Sequence, residues 1–405
     1  MSESKRHLVL HHIEERTTFH MTTIVERIRA EYAKDQANAR PAATADELPI
    51  SFDSITPEWL TAVLCADVPG ARVTGYRLGP VDNGSSNRRK LYPDYNAAGK
   101  QAGLPAGLFC KATHDLANRM VLGVSGGARG EVNFYTQIRP LLNIEAPICY
   151  FARMDDRSFN SIIMLGDLTP TRREFCDHHT VMTRERVESQ LRLLATLHGN
   201  CYALPELKQR LANFVTFRSF FEKSLDFGFR DGTEAGFRDA EEVIPPRFFR
   251  HVDEIWDATM QALYLLDAMP HTLAHCDVHL KNWYVAGNGE MGLSDWQCCG
   301  RAGWARDLAY ATGCGLTVEN RRLWERDLVR YYIEHLAASG GPEVEFETAF
   351  TAYRQQYVQA LAYWTVTLSP PPGIPDMQPR DITLEFIRRL ATAADDLDTL
   401  AALGN

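Results

Sequence analysis

The order of residue patterns predicts an α+β chain, with a small, mainly antiparallel sheet unit first and a larger, mainly helical unit after it. Short strand-like runs dominate the N-terminal portion: Arg72 to Leu78, Leu108 to Thr113, Ile148 to Arg153 and Ser161 to Leu165. One helix-like segment interrupts them, where Val132, Phe134, Tyr135, Ile138, Leu141 and Leu142 follow Glu131 at helical spacing. Beyond Asp167-Leu168 the period changes for good, with Val187, Leu191, Leu194 and Leu197 on one helical face. The expected division is a polar extension and linker at 1–48, a strand-rich lobe at 49–165 and a helical lobe at 166–405.

Taken in order, the elements have local causes. Leu8-Val9-Leu10 is followed by His11, His12, Glu14, Glu15 and Arg16, which is no hydrophobic export core. Within the extension, Ile24, Ile28 and Tyr32 mark one face of a short helix, and Met21 offers a second start. Thr56-Pro57-Glu58 combines a cap, a proline at the first helical position and an acid in the first turn, ahead of Trp59, Leu60, Val63 and Leu64. After the strand ending at Leu78 comes a polar loop, Asn83-Gly84-Ser85-Ser86-Asn87, readable either as a hairpin turn or as amides that cradle phosphate. A strand with Lys111 in its middle follows, then a Gly-rich connection to the helix opening at Glu131. Asp155-Asp156-Arg157-Ser158 joins the next two strands. In the C-terminal portion, 217–250 reads as helix, loop, helix. Arg321 to Ala337 is an amphipathic helix with Trp324, Leu328, Tyr331 and Leu336 inward. Phe346 to Tyr363 is one helix, stopped by Pro370-Pro371-Pro372-Gly373, and Ile382 to Leu400 is the last.

With 405 residues and 45% hydrophobic content the chain has ample core material. A net charge of −9, without any dominant Lys/Arg block, argues against a nucleic-acid partner. No run of about 18 apolar residues is present, which argues against a membrane span. The nine cysteines are odd in number and scattered, with Cys298 and Cys299 adjacent, so neither a disulfide framework nor a zinc ribbon is indicated and a reducing cytoplasm is expected.

The chemistry is concentrated in His275-Cys276-Asp277-Val278-His279-Leu280-Lys281-Asn282 and in Leu293-Ser294-Asp295-Trp296. Trp283 to Ala286 and Glu290 to Ser294 read as strands around Gly287-Asn288-Gly289, a hairpin expected to set Asn282 opposite Asp295 at roughly 4.5 to 5.5 Å between alpha carbons. Two hard oxygen ligands suit Mg2+, which takes one or two protein groups and completes its shell with water and phosphates. Asp277 precedes Asn282 by five positions, the kinase catalytic-loop offset, in which the Asp orients or deprotonates a hydroxyl and the Asn holds metal. Lys111 on a strand and Glu131 on the next helix have the order of the ion pair that fixes an amine on nucleotide phosphates. The unremarkable alternatives are a solvated lysine and a helix-end glutamate. Met164, Leu165 and Leu168 lie in the connecting segment whose backbone would read an adenine edge.

With those residues in that order, the chain resembles the aminoglycoside phosphotransferase and choline kinase group, especially its ecdysteroid-kinase-like branch. Residues 275–282 look like the group's His-Gly-Asp-x-His-x-x-Asn loop, with Cys276 in place of Gly. Leu197-His198-Gly199 is similar to its Leu-His-Ala, and Gly303-Trp304-Ala305-Arg306-Asp307-Leu308-Ala309 resembles the segment after its metal-binding Asp. The resemblance implies a two-lobed protein-kinase-like fold that moves the ATP γ-phosphate onto a small-molecule hydroxyl. Asp277 would then be catalytic, Asn282 and Asp295 would hold Mg2+, and Lys111 with Glu131 and residues 83–87 would meet the phosphates. His275 and Asp307 would support the loop. Gly166, where relatives carry Glu, and the sparse glycine of the 83–87 loop depart from the pattern. His279, Tyr310 and Tyr357 are candidate acceptor contacts, with Asp226, Glu234, Tyr353 and Trp364 as further pocket residues. The acceptor (aminoglycoside, aminoalcohol, sugar or steroid-like alcohol), the choice of ATP over GTP and the oligomeric state stay open. Two rival readings are a catalytically silent kinase-like binding module and a transition-metal hydrolase built on His271, His275, His279, Cys276 and Asp277.

Overall fold

The computed structural model describes residues 24–404 apart from 373 and 375. Met21, the Leu8-Val9-Leu10 cluster and Gly373 lie outside the described residues, whereas residues 24–37 form a helix that carries Ile24, Ile28 and Tyr32. The chain divides into two compact units. Among the described residues, one comprises those up to Val132 with Ile148–Leu168, and the other Asn133–Pro147 with those from Thr169 onward. The segment 133–147, expected in the strand-rich lobe, therefore belongs to the second unit. An antiparallel sheet unit and a mainly helical unit make the α+β, two-lobed kinase-like plan that the sequence predicts.

The first unit is built on five antiparallel strands, β1 (Val73–Val81), β2 (Asn87–Tyr95), β3 (Leu108–Ala112), β4 (Cys149–Met154) and β5 (Ser161–Gly166), in the order β1-β2-β3-β5-β4. Strand β2 has no clear signature in the sequence because Arg88, Arg89 and Lys90 mask the alternation that buries Leu91, Pro93 and Tyr95. The helix Pro57–Leu64 is capped by the Thr56 side chain, which accepts from the Trp59 N–H. It lays Trp59 and Leu60 on a core with Leu91, Leu108, Cys110, Ile162 and Met164.

The Gly-rich connection is helical. A helix spans Leu116–Ser125, turns at Gly126 with φ 86 and resumes at Gly127–Asn133. Gly126 serves the turn, whereas Gly123 serves close packing, since a β-carbon there would lie 2.9 Å from the Phe159 ring. Glu131 consequently sits in the later turns of a helix, not at its start.

In the second unit, β6 (Arg172–Phe175), β8 (Trp283–Ala286) and β9 (Met291–Leu293) form one antiparallel sheet, while β7 (Thr272–Ala274) pairs with β10 (Gly300–Ala302). Helices surround them, and every residue of the helix Ala305–Gly315 is buried. The single helix expected over Phe346 to Tyr363 is two, Phe346–Gln355 and Tyr357–Leu368. No Gly or Pro marks that break. It falls at buried Gln356, whose side-chain amide donates to the Ala262 carbonyl at 3.1 Å. The last helix likewise ends at Asp396 and restarts at Thr399. In the helix Val318–Ala338 the inward tyrosine is Tyr332, not Tyr331, and Arg321 and Glu325 are buried as a pair at 2.6 Å. Among the described residues no helix is long and apolar enough to cross a membrane.

The helices Phe229–Asp239 and Tyr357–Leu368 approach so closely that a β-carbon on Gly236 would fall 1.9 Å from the Thr365 carbonyl oxygen. Gly236→Ala gains about 1 kcal/mol of helix propensity but must push the two helix backbones away from each other. Urea unfolding is expected to show a net loss of about 2 kcal/mol.

Candidate active site

The residues of the 275–282 loop are placed by groups that hold its backbone. β7 delivers the chain to His275, and Asp307, in the first turn of the helix Ala305–Gly315, faces it. The Asp307 carboxylate, with no exposed surface, accepts the amide protons of His275 at 2.6 Å and Cys276 at 2.9 Å. His198 Nε2 lies 3.2 Å from the same carboxylate, and its Nδ1 meets the Tyr332 hydroxyl at 2.6 Å. Burial alone would raise the Asp307 carboxyl, but the hydrogen bond and charge of His198 and the loop amide hold it below the usual range. Arg306, also fully buried, donates to the Cys276 carbonyl from Nε and Nη2 at 3.3 and 3.1 Å and to Gln359 at 3.0 Å. Neighbouring residues of one helix therefore hold both sides of the Cys276 residue, its N–H and its C=O.

Cys276 takes φ 65, a left-handed conformation that an L side chain rarely adopts. This gives a conformational reason for a glycine at that place in the resembled loop, and here a buried thiol occupies it. Burial pushes that thiol far up, so it stays neutral.

His275 acts as a neutral brace. Its burial lowers its affinity for a proton. Nδ1 accepts the Asp277 amide proton at 3.2 Å, which leaves Nε2 to donate to the Ser294 carbonyl at 3.0 Å. The catalytic-loop candidate and the end of the hairpin are thus tied through one imidazole. Asp277 itself keeps a quarter of its side chain exposed. Oδ1 accepts from the Tyr310 hydroxyl at 3.2 Å, while Oδ2 lies 3.3 Å from the Asn282 amide and 3.5 Å from His279 Nε2. Burial would raise this carboxyl, but the charge and hydrogen bond of His279, helped by Arg306, bring it down to about 2. It is ionised throughout the neutral range.

The hairpin forms, but its register corrects the expected pairing. Trp283 faces Leu293 and Val285 faces Met291, so Asn282 stands opposite Ser294, whose N–H and hydroxyl both donate to the Asn282 carbonyl at 2.9 Å. A three-residue turn centres on Asn288, and the five-residue arms end at Asn282 and Ser294. Asp295 follows at φ 62, out of the strand, with its carboxylate accepting from the Gln297 amide at 2.6 Å. The Asn282 amide nitrogen also donates to the Asp277 carbonyl at 2.7 Å, which turns its oxygen the other way.

In the first unit, Lys111 on β3 and Glu131 are joined at 2.8 Å with only 6% and 3% of their side chains exposed. The solvated-lysine alternative is therefore wrong. The Asn87 side chain is engaged structurally, accepting from the amides of His114 and Asp115 and donating to the Asp115 carboxylate at 2.6 Å. Asn118 donates to the Gly84 and Ser85 carbonyls, the Gly84 N–H donates to the Ser86 carbonyl, and Asn83 accepts from the Arg88 amide. Ser86 is buried. Met164 and Leu165 are not in a connecting segment. They lie in β5, paired on both sides by β3 and β4, and Met164 is core. Leu168 closes the unit just beyond.

Tyr357 is not positioned as an acceptor contact. Its hydroxyl donates to Tyr353 at 2.5 Å within a buried cluster that includes Thr312. Asp226 is exposed, and Glu234 pairs with Arg230. Tyr310 and His279 do stand at Asp277, and the His279 ring packs edge-on against Trp364, with centroids 5.3 Å apart. Sequence reasoning misses Arg306 and Gln359 as loop supports, although Arg306 adjoins Asp307 in the 303–309 motif. The hydrolase reading finds no site. Among the described residues no group of three or more His, Cys, Asp and Glu could hold a metal ion. Residues 275–279 are not helical, and the His271 ring nitrogen lies 2.9 Å from the Asp267 carbonyl.

Compared with known families, the sequence matches the ecdysteroid kinase-like family over residues 94–340, more than half of the chain. No curated protein sequence matches it significantly. Solved structures with similarity include an ethanolamine kinase from Plasmodium vivax, at 11% identity and a TM-score of 0.42, covering 78% of this chain and 81% of that one. The GDP complex of wild-type aminoglycoside 2'-phosphotransferase-IIIa is similar at 10% identity and a TM-score of 0.49, covering 83% and 97%. The choline kinase LicA from Streptococcus pneumoniae is similar at 10% identity and a TM-score of 0.42, covering 80% and 94%. At these TM-scores the likenesses lend no support to any activity.

The left-handed residue in the loop gives a direct test. Cys276→Gly relieves backbone strain while removing a small buried side chain, so its unfolding free energy should stay within about 1 kcal/mol of the parent. Cys276→Val, β-branched at a positive φ, should lose about 2–3 kcal/mol by urea denaturation.

Proposed function

We propose that this chain, which belongs to the ecdysteroid kinase-like family, moves the γ-phosphoryl group of ATP onto a hydroxyl of a small molecule. The observation that carries this reading is the state of Asp277: an ionised, partly exposed carboxylate whose two oxygens are oriented by Tyr310, His279 and Asn282 on a loop clamped by Asp307. A carboxylate held at about 2 is a weak base. Its task is to accept a hydrogen bond from the acceptor hydroxyl, align the oxygen and take the proton late, which suits the loose transition state of phosphoryl transfer.

Asn282 and Asp295 would hold Mg2+. Their oxygens are hard donors, the Asn282 amide is pinned with its oxygen turned away from Asp277, and a two-ligand set is what this ion takes when phosphates complete its shell. When bound, the ion supplies positive charge to the phosphate oxygens. Lys111, kept in place by Glu131, would do the same from a fixed amine, and Asn83 to Ser86 would cover the phosphates with Asn87 as the pin of their loop. Tyr310, His279 and Trp364 would line the acceptor side of Asp277. A silent binding module is the weaker reading, because binding alone has no use for both an aligned carboxylate in the second unit and an intact buried Lys-Glu pair in the first.

Incubating the purified protein with Mg-ATP and a panel of hydroxyl compounds, with product mass and ATP consumption followed together, is expected to show magnesium-dependent gain of one phosphoryl group. A parallel run with GTP defines the donor. Asp277→Asn should lower turnover by on the order of 10²- to 10⁴-fold with nucleotide affinity nearly unchanged, and near-normal turnover would reject its role. Asp295→Ala should weaken Mg-ATP binding at least about ten-fold, since loss of even an outer partner of a metal ligand has that effect. Unchanged magnesium dependence in that variant would remove Asp295 from the scheme.

A further inference from the structure

We propose that the helix at residues 24–37, which precedes the segment matched by the family, is a positioning element for the Lys111–Glu131 pair, with Asp35 acting through the buried guanidinium of Arg119. The proposal rests on the reading of Lys111 as a phosphate contact.

Arg119 has no exposed surface, and it stands in the helix that runs through Gly126 into the helix of Glu131. Its Nε donates to the Thr113 carbonyl at 3.0 Å, two residues beyond Lys111, and its Nη1 donates to the Ser158 carbonyl at 3.4 Å. Thr113 is itself fixed, with its N–H on the Ser161 carbonyl and its hydroxyl on the Phe159 carbonyl. One guanidinium thus ties the end of the strand that carries Lys111 to the helices that carry Glu131. Its charge is met by the N-terminal helix: Asp35 Oδ2 lies 2.5 Å from Nη1, and the Tyr32 ring centroid is 5.1 Å from the guanidinium carbon.

The docking is broad. Ile28, with no exposed surface, packs with Val124 and Phe159, flanked by Ile24, Val25 and Met120. Glu31 pairs with Arg157 at 3.0 Å, and Arg27 lies over the Phe159 ring at 4.9 Å.

A buried cation deprived of its counter-charge is strongly unfavourable and relaxes toward water. For Arg119 that relaxation means leaving the Thr113 carbonyl and shifting the helix that leads to Glu131. Lys111 would then be a flexible chain ending in a point charge, with its partner displaced. Loss of the Asp35 contact therefore acts on phosphate binding and leaves the Asp277 loop, which belongs to the other unit, as it is.

The test uses the full chain well below its melting temperature and compares the parent with Asp35→Asn, Tyr32→Leu and the conservative Asp35→Glu. Mg-ATP affinity is read by calorimetry and amide hydrogen exchange over residues 127–133 by mass spectrometry. Asp35→Asn and Tyr32→Leu should weaken Mg-ATP binding roughly five- to ten-fold and speed that exchange, while Asp35→Glu stays within about two-fold of the parent. A merely structural contact would lower the melting temperature and move neither readout, and that result overturns the proposal. So does a change in only one of the two. If Asp35→Asn fails to fold, Tyr32→Leu decides. If the parent does not bind Mg-ATP, the phosphotransfer reading fails, and exchange alone decides: faster exchange supports the positioning role and unchanged exchange overturns it.

Discussion

The grip of the Asp307 carboxylate on the amides of His275 and Cys276 is the constraint on which the geometry of the second unit's candidate site depends. A carboxylate with no exposed surface is stable only if donors surround it, and here two backbone amides and His198 do so. Removing a partner from such a group costs about 3–5 kcal/mol, so the loop has little freedom to leave. Arg306 adds the complementary hold on the Cys276 carbonyl from the adjacent helical position. The consequence runs outward. The fixed His275 ring receives the Asp277 amide and donates to Ser294, and the hairpin that bears Asn282 and Asp295 inherits its placement from the same anchor.

The first unit solves a related problem with an ion pair. Lys111 and Glu131 are almost wholly withdrawn from water, where a single unpaired charge would be costly, so each makes the other tolerable and both lose mobility. Positioning is what phosphoryl transfer chiefly asks of a protein, because the phosphates carry the charge and the transition state needs little covalent help. Each unit thus contains a charge held rigid by its own surroundings.

What is legible in the sequence follows from range. The five-residue offset between Asp277 and Asn282 and the strand-turn-strand that follows are local, and both are present. The expected register fails by one residue because it centres the turn half a residue too far along, and a period of two sends such an error to the opposite face. The helices on either side of Gly126 are hidden because the glycines there read as a connection, while Gly123 is set by contact with Phe159, a partner far away in sequence. Tyr310 and Tyr357 look alike as aromatic residues in the helical half, yet one reaches Asp277 and the other closes a hydroxyl cluster with Tyr353 and Thr312. Only tertiary packing separates them. The break at Gln356 is of the same kind, set by the Ala262 carbonyl and not by a local breaker.

Cys276 has a further consequence. Its side chain belongs to an apolar cluster with Phe217, Ala274, Ala302 and Ala362, three of which are alanines. The same core holds Phe221, Trp256, Leu263 and Leu266, and the sulfur enters it at the point where the main chain bends in the sense that disfavours any side chain. A lineage that trades this cysteine for glycine leaves a small hole in that core, and one that enlarges it crowds the core from a strained backbone position. Position 276 should therefore stay small across descendants, confined by its backbone on one side and by the packed core on the other.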